Sequence, residues 1–149
     1  MDNYKTAKEP ITLLSPLGLS PGLLYSALMT IKPQHLMVLT SREAADSLSE
    51  IIQRAEYSGS VDVVYVDDPF NCFQQANQKV EEMLNILNYS PCVINLTGGT
   101  TALQFIIVRA GTALENEGVQ VHYVALIDRR GIQDQKDNPW VEGELVSVL

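Results

Sequence analysis

Between Cys92 and Thr101 the chain reads Cys-Val-Ile-Asn-Leu-Thr-Gly-Gly-Thr-Thr, an apolar run that ends in a polar, glycine-paired turn and opens directly into a helical pattern. Val93, Ile94 and Leu96 read as a buried strand, Gly98 and Gly99 permit a tight turn with close backbone approach, and the residues from Ala102 onward start a helix. A strand, turn and helix joined in this way aim free N–H groups at whatever anion sits before the helix. A second segment is built alike: Ile11-Thr-Leu-Leu14 runs into Ser15-Pro-Leu-Gly-Leu-Ser-Pro-Gly22, small and polar, again ahead of a helix. Two such turns in one small sheet predict one composite pocket.

Apolar periodicity and breakers predict strands at 11–14, 35–39, 61–66, 92–96 and 120–127, with a last strand near 141–148. Helices are predicted at about 21–31, 42–56, 71–88 and 101–116. Ala44, Ala45, Leu48, Ile51, Ile52 and Ala55 form one stripe; Phe73, Ala76, Val80, Met83, Leu84 and Leu87 form another, so each helix packs on a sheet from one side. Ser20 before Pro21 reads as a cap with proline at the first helical position, and Asn71 with Gln74 as a capping pair. Strand and helix alternate almost without exception. The expected fold is therefore α/β, a Rossmann-like doubly wound, mostly parallel six-stranded sheet with helices on both faces. In the common order 3-2-1-4-5-6 the first and fourth strands are neighbours where the winding reverses, and ligands bind beyond their carboxyl ends. These are the strands that carry the two turns.

The helix over 101–116 differs, because Leu103, Phe105, Ile106, Ile107, Val108, Ala110, Ala113 and Leu114 cover more than one face. It is either buried under its neighbours or part of a subunit interface. The polar stretch 129–139 reads as a flexible loop before a final strand or hairpin at 140–149. Arg129 and Arg130, leaving the carboxyl side of the sheet, are either solvated arginines or cations that swing over the pocket.

A length of 149 residues fits a single domain at 1–149, with a tail at 1–9, and 46% hydrophobic content suffices for a core without disulfides or metal. The net charge of −8 disfavours attachment to duplex nucleic acid or an anionic membrane, while leaving room for a small anion held by local chemistry. No export signal or spanning segment is evident, so a cytoplasmic protein is expected. Cys72 and Cys92 have no metal-ligand spacing and read as reduced, unlinked thiols; His35 and His122, in or beside apolar strands, read as structural imidazoles. No metal and no cofactor is expected.

With Asn95-Leu-Thr-Gly-Gly-Thr100 after the fourth strand and Ser15-Pro-Leu-Gly-Leu-Ser-Pro-Gly22 after the first, the chain resembles the CRISPR-associated Rossmann fold (CARF) domains over nearly its whole length. The resemblance implies a homodimer that binds cyclic oligoadenylate, the messenger of type III CRISPR defence, across its twofold axis, with cyclic tetra-adenylate favoured. The residue chemistry is compatible: the amides of Gly98, Gly99 and Thr100 and the hydroxyls of Ser15, Ser20 and Thr97 suit phosphate and 2′-hydroxyl groups. Ser20 and Thr97 have rival duties as cap and turn residues, which leaves Ser15 the least ambiguous. Gly18, Asn95, Thr101 and Arg130 complete the expected ligand contacts. Many CARF domains carry Lys where this chain has Thr101; either Arg129 or Arg130 replaces it, or amides hold the ring alone, or the ligand differs.

CARF domains usually precede an effector domain, and this chain is expected to stand alone. That leaves a ring nuclease, which ends the signal, or a non-catalytic sensor or sequestering protein. As a ring nuclease it needs no metal and no protein nucleophile, since the ligand's own 2′-hydroxyl attacks the adjacent phosphorus. Ser15, Thr97 and Arg129 are the expected catalytic residues, by orienting that hydroxyl and stabilising the pentavalent phosphorus. An ordinary dinucleotide binder fits less well: the first loop lacks Gly-x-Gly-x-x-Gly, and Asp46, the candidate ribose acid, falls within a predicted helix.

Overall fold

The six strands of this chain lie in one sheet in the order β3-β2-β1-β4-β5-β6. The computed structural model describes residues 10–148, so the expected 1–9 tail and Leu149 lie outside the described residues. The strands are β1 (Thr12–Leu17), β2 (His35–Ser41), β3 (Ser60–Val66), β4 (Cys92–Asn95), β5 (Val121–Ile127) and β6 (Glu144–Ser147). The first five are parallel and β6 closes one edge antiparallel to β5. The helices are α1 (Gly22–Ile31), α2 (Leu48–Arg54), α3 (Ala76–Ile86), α4 (Thr101–Asn116) and α5 (Ile132–Asp137).

Successive side chains of a strand point to opposite faces, and both faces of this sheet are buried. Leu13, Leu17, Leu36 and Val38 pack with Leu24, Leu28 and Ile31 of α1 and Leu48 and Ile51 of α2. On the other face Leu14, Met37 and Ile94 pack with Met83 of α3 and Leu103, Ile106, Ile107 and Ala110 of α4. The two cores divide the helices as the alternating pattern requires, with the expected strand order.

Several expectations are corrected. β1 runs to Leu17 rather than ending at residue 14, so Ser15 is a strand residue and not the first residue of a loop. Pro16 sits in it because pairing with β4 stops at Leu14, while pairing with β2 continues to Leu17. Thr12 donates its N–H to Pro91 on the β4 side; by strand alternation the nitrogen of Pro16 faces that same side, where no ladder bond remains to be lost. The helix expected at 42–56 is a 3-10 turn, Ala44–Ser47, followed by α2. Ser41 Oγ accepts from the Ala44 N–H and Ser47 Oγ donates to the Ala44 carbonyl, so side chains compete with helical bonds at its start. Ser20 does not cap α1; Pro21 occupies that position and no side chain bonds the first turn. The Asn71 and Gln74 pair is not a cap either, since Asp68 organises the turn by accepting from the N–H groups of Phe70 and Asn71. The loop expected over 129–139 contains α5.

Among the described residues no helix is long and apolar enough to cross a membrane. Cys72 and Cys92 are free and buried, and burial pushes the Cys92 thiol up to about 12. His35 pairs with Asp62 at 2.8 Å, and His122 meets the Gln120 amide at 3.2 Å.

Candidate functional site

Where β4 ends, Asn95 holds the sheet open in a defined shape. Its side chain is fully buried and makes four hydrogen bonds. Nδ2 donates to Ser15 Oγ at 3.0 Å and to the Thr97 carbonyl at 3.1 Å; Oδ1 accepts from the Thr97 N–H at 3.0 Å and from Thr97 Oγ1 at 2.6 Å. Thr97 Oγ1 in turn accepts from the Leu126 N–H of β5 at 2.8 Å. Ser15 Oγ, also fully buried, donates to the Pro16 carbonyl at 2.9 Å. The network therefore ties β1, β4 and β5 together beneath the turn. Ser15, Asn95 and Thr97 form its floor; their polar atoms are turned to one another rather than to the cleft, which corrects the expectation that Ser15 and Thr97 touch a ligand directly.

Above this floor Gly98 and Gly99 have φ of 95° and 71°, the left-handed region that favours glycine. Thr100 caps α4: its Oγ1 accepts from the Leu103 N–H at 3.1 Å and donates to the Pro69 carbonyl. Gln104 Nε2 donates to the Gly98 carbonyl at 2.9 Å, which ties the turn to the first turn of α4. Among the described residues the N–H groups of Gly98, Gly99, Thr100 and Thr101 have no protein partner, so they stand as donors at the positive end of a 16-residue helix.

The first turn meets the second here. A Cβ added to Gly18 would lie 2.8 Å from the Gly99 Cα, so the two backbones are packed against each other. Residues from both turns, including Gly18, Ser20, Gly98, Gly99 and Thr100, line a single cleft of about 440 Å³. Residues after β2 and β3 complete it, among them Glu43 and Phe70. Sequence reading missed both. Glu43 lies just past Ser41, the last residue of β2, a position that fold order alone could have flagged; Phe70 had no sequence signal beyond being an aromatic residue in a polar turn.

The arginines lie elsewhere. Arg129 Nε donates to Glu144 Oε2 at 3.0 Å on the exposed β6 edge. Arg130 grips Asp128 through Nε at 3.0 Å and Nη2 at 2.8 Å, and its Nη1 donates to the Asn138 carbonyl at 2.8 Å. The Arg130 guanidinium holds the Asp128 carboxyl below its ordinary range and is itself pushed up by it. Neither arginine lines the cleft between the two turns, so of the three alternatives for the missing lysine at position 101 the arginine one finds no support in this geometry. Thr101 is exposed at the first position of α4 and does not line the cleft either. Arg130 borders a second cleft of about 470 Å³, between the start of α1 and α5, which shares Leu19, Ser20 and Leu23 with the first. Among the described residues no group of three or more His, Cys, Asp or Glu is placed to hold a metal ion.

No family model matches the sequence, and no curated protein matches it. Solved structures do match. Can2 from Sulfobacillus thermosulfidooxidans, in complex with cyclic tetra-adenylate, aligns over 78% of this chain and 32% of its own, with a TM-score of 0.64 and 14% identity. Protein VC1899 from Vibrio cholerae aligns over 78% of this chain and 30% of its own, with a TM-score of 0.61 and 9% identity. A type III CRISPR defence DNA nuclease activated by cyclic oligoadenylate aligns over 78% and 19%, with a TM-score of 0.52 and 24% identity. The chain thus spans a third or less of the length of each. At these identities the likeness is one of fold, a Rossmann-like α/β domain.

Proposed function

We propose that this protein binds cyclic oligoadenylate, with cyclic tetra-adenylate favoured, at the cleft between the two glycine turns, and that a homodimer places two such clefts on one ring. The observation that carries the reading is the contact of Gly18 with Gly99, which merges the turns into one cradle with unpaired amide donors. A ring of adenylates carries a phosphate per unit and repeats itself, so a twofold pair of identical cradles suits it. The outer face of α4 supports the pairing: Phe105 and Val108 remain about 40% exposed beside Phe73, an apolar surface left open among the described residues.

Bound in line, the ring can cleave itself. The 2′-oxygen bonds to the adjacent phosphorus as the bond to the 5′-oxygen breaks, the 2′-hydroxyl proton passes to solvent, and the departing oxygen takes one up. The protein's contribution is position and charge: the amides of Gly98, Gly99 and Thr100 hold the phosphoryl oxygens. Ser15 and Thr97 act as positioning residues through Asn95, which fixes the turn. Slow cleavage without a metal, ending the signal of type III CRISPR defence, is the first reading. The second is a sensor or sequestering protein, favoured by the engagement of Ser15, Thr97 and Arg130 in intramolecular bonds.

Incubation with cyclic tetra- and hexa-adenylate in EDTA, followed by chromatography of the products, tests both. Linear products ending in a 2′,3′-cyclic phosphate support the nuclease. An intact ring that co-elutes with the protein supports the sensor, and a ring that neither binds nor changes removes the proposal.

A further inference from the structure

Two exposed side chains on the rim of the cleft, Glu43 and Phe70, make no side-chain hydrogen bond or ion pair among the described residues. Phe70 is 75% exposed, a costly position for so large an apolar group. Yet it is not a loose tip. Its own N–H bonds Asp68 Oδ1 at 3.0 Å, and the carbonyl of Pro69 before it is held by Thr100 Oγ1, the residue that caps α4. The loop that presents the ring is therefore tied to the cradle itself. Glu43 is the one charged side chain among the described residues lining this cleft, and its carboxylate has no hydrogen-bond or ion-pair partner among them. A bare carboxylate, which only accepts hydrogen bonds, stands out in a cleft that also holds the unpaired amide donors of the glycine turn. A ligand that suits the whole cleft must carry an anion for the amides, a hydroxyl or amino donor for Glu43, and a flat apolar face for Phe70.

We propose that this rim is a nucleoside half-site, in which Phe70 stacks on a base and the Glu43 carboxylate accepts a hydrogen bond from the ribose 2′-hydroxyl. The inference rests on the cyclic oligoadenylate reading and adds to it the groups that recognise the nucleoside. In a ring joined through 3′ and 5′ oxygens the 2′-hydroxyl is the free sugar donor, and in doubly wound folds an acid just after the second strand is well placed to meet a ribose hydroxyl. Base stacking on an exposed aromatic tolerates any base, so Phe70 supplies affinity, while Glu43 distinguishes ribose from deoxyribose.

The test is equilibrium binding of the full chain to cyclic tetra-adenylate and to its all-2′-deoxy counterpart, with melting temperature and sedimentation recorded for each variant. The unaltered protein is expected to prefer the ribose ring by roughly tenfold to a hundredfold, the range of a hydrogen bond to a charged group. Glu43→Ala abolishes that preference, and Glu43→Gln, which keeps an acceptor oxygen, retains part of it. Phe70→Ala weakens both rings alike, by roughly fivefold to a hundredfold, and Phe70→Trp restores binding with its emission quenched by the ring. A ribose preference that survives Glu43→Ala, or a Phe70→Ala protein that binds as tightly as the unaltered one, overturns the inference while leaving the functional reading in place. A Phe70→Ala protein that binds less only because it sediments as a monomer overturns it too, since the ring then belongs to a subunit contact. If the unaltered protein binds neither ring, the functional reading falls and the half-site falls with it.

Discussion

Asn95 has two donor and two acceptor positions on its amide that this structure fills with protein, leaving nothing for a ligand. Its buried position makes that satisfaction matter more than any single bond, because an orphaned polar group in the interior costs its full desolvation. Asn95→Ala strands the Thr97 N–H and removes a partner from Ser15 and from both the hydroxyl and carbonyl of Thr97. The expected loss is about 2–4 kcal/mol of unfolding free energy, read from urea titrations. Ser15→Ala is expected to lower stability and ring affinity together, as suits a residue that shapes the cleft from below. Gly18→Ala acts more locally. Its Cβ would meet the Gly99 Cα at 2.8 Å, so the turns must part, and ring binding should fall by more than tenfold, about 1.4 kcal/mol, in a calorimetric titration of a protein that still unfolds cooperatively. The residue types at 15, 95 and 97 were legible in the sequence, but their direction was not. From the sequence the strand is expected to end at residue 14, ahead of Pro16, and it takes the register of β1 against β4 to show that a proline can sit in it and that Ser15 faces inward.

α5 shows how an element escapes detection. Ile132-Gln-Asp-Gln-Lys-Asp137 has one apolar residue, exposed in the structure, so no periodicity announces a helix. It is held by what surrounds it: Arg130 reaches Asp128 before the helix and the Asn138 carbonyl after it, and Gln135 Nε2 donates to the Arg130 carbonyl at 2.8 Å. The Asp128 carboxyl, held below its ordinary range by the hydrogen bonds from Arg130, makes stability depend on pH. Its contribution is fully present above the ordinary carboxylate pKa of about 4 and is lost as pH falls through the lower folded value. Asp128→Asn is therefore expected to melt below the unaltered protein at pH 7 and to converge with it as the pH falls through that lowered folded value, in melting curves collected across pH. The start of α4 lies where the sequence places it, but its cap, Thr100, is expected from the sequence only as a ligand contact; Thr100→Ala is expected to cost about 1 kcal/mol or more, since the same hydroxyl also ties down Pro69. Thr100→Ser should recover most of it.

At the scale of the whole molecule the question is what covers α4. Val108 lies on its outer face at 41% exposure, clear of both cores. Val108→Glu is expected to raise the dissociation constant of a homodimer by about tenfold or more, the cost of an unpaired charge in an apolar contact. Sedimentation equilibrium reads this directly, and titration of the unaltered protein should saturate at one ring per two chains. Strand order, the two-sided sheet and the neighbourhood of the two glycine turns follow from the chain itself. Alternating periods of two and 3.6 residues leave few ways to bury both faces, and right-handed crossovers then bring the first and fourth strands together. The occupants of the cleft do not follow. Glu43 and Phe70 come from loops after β2 and β3, Arg130 turns to Asp128 rather than to the cradle, and Ser15 points into the floor. Local sequence carries the period of burial, because burial repeats with the backbone. Which side chain meets which across loops separated by tens of residues is settled only by three-dimensional packing, where hydrogen-bond partners are chosen by distance and not by position along the chain.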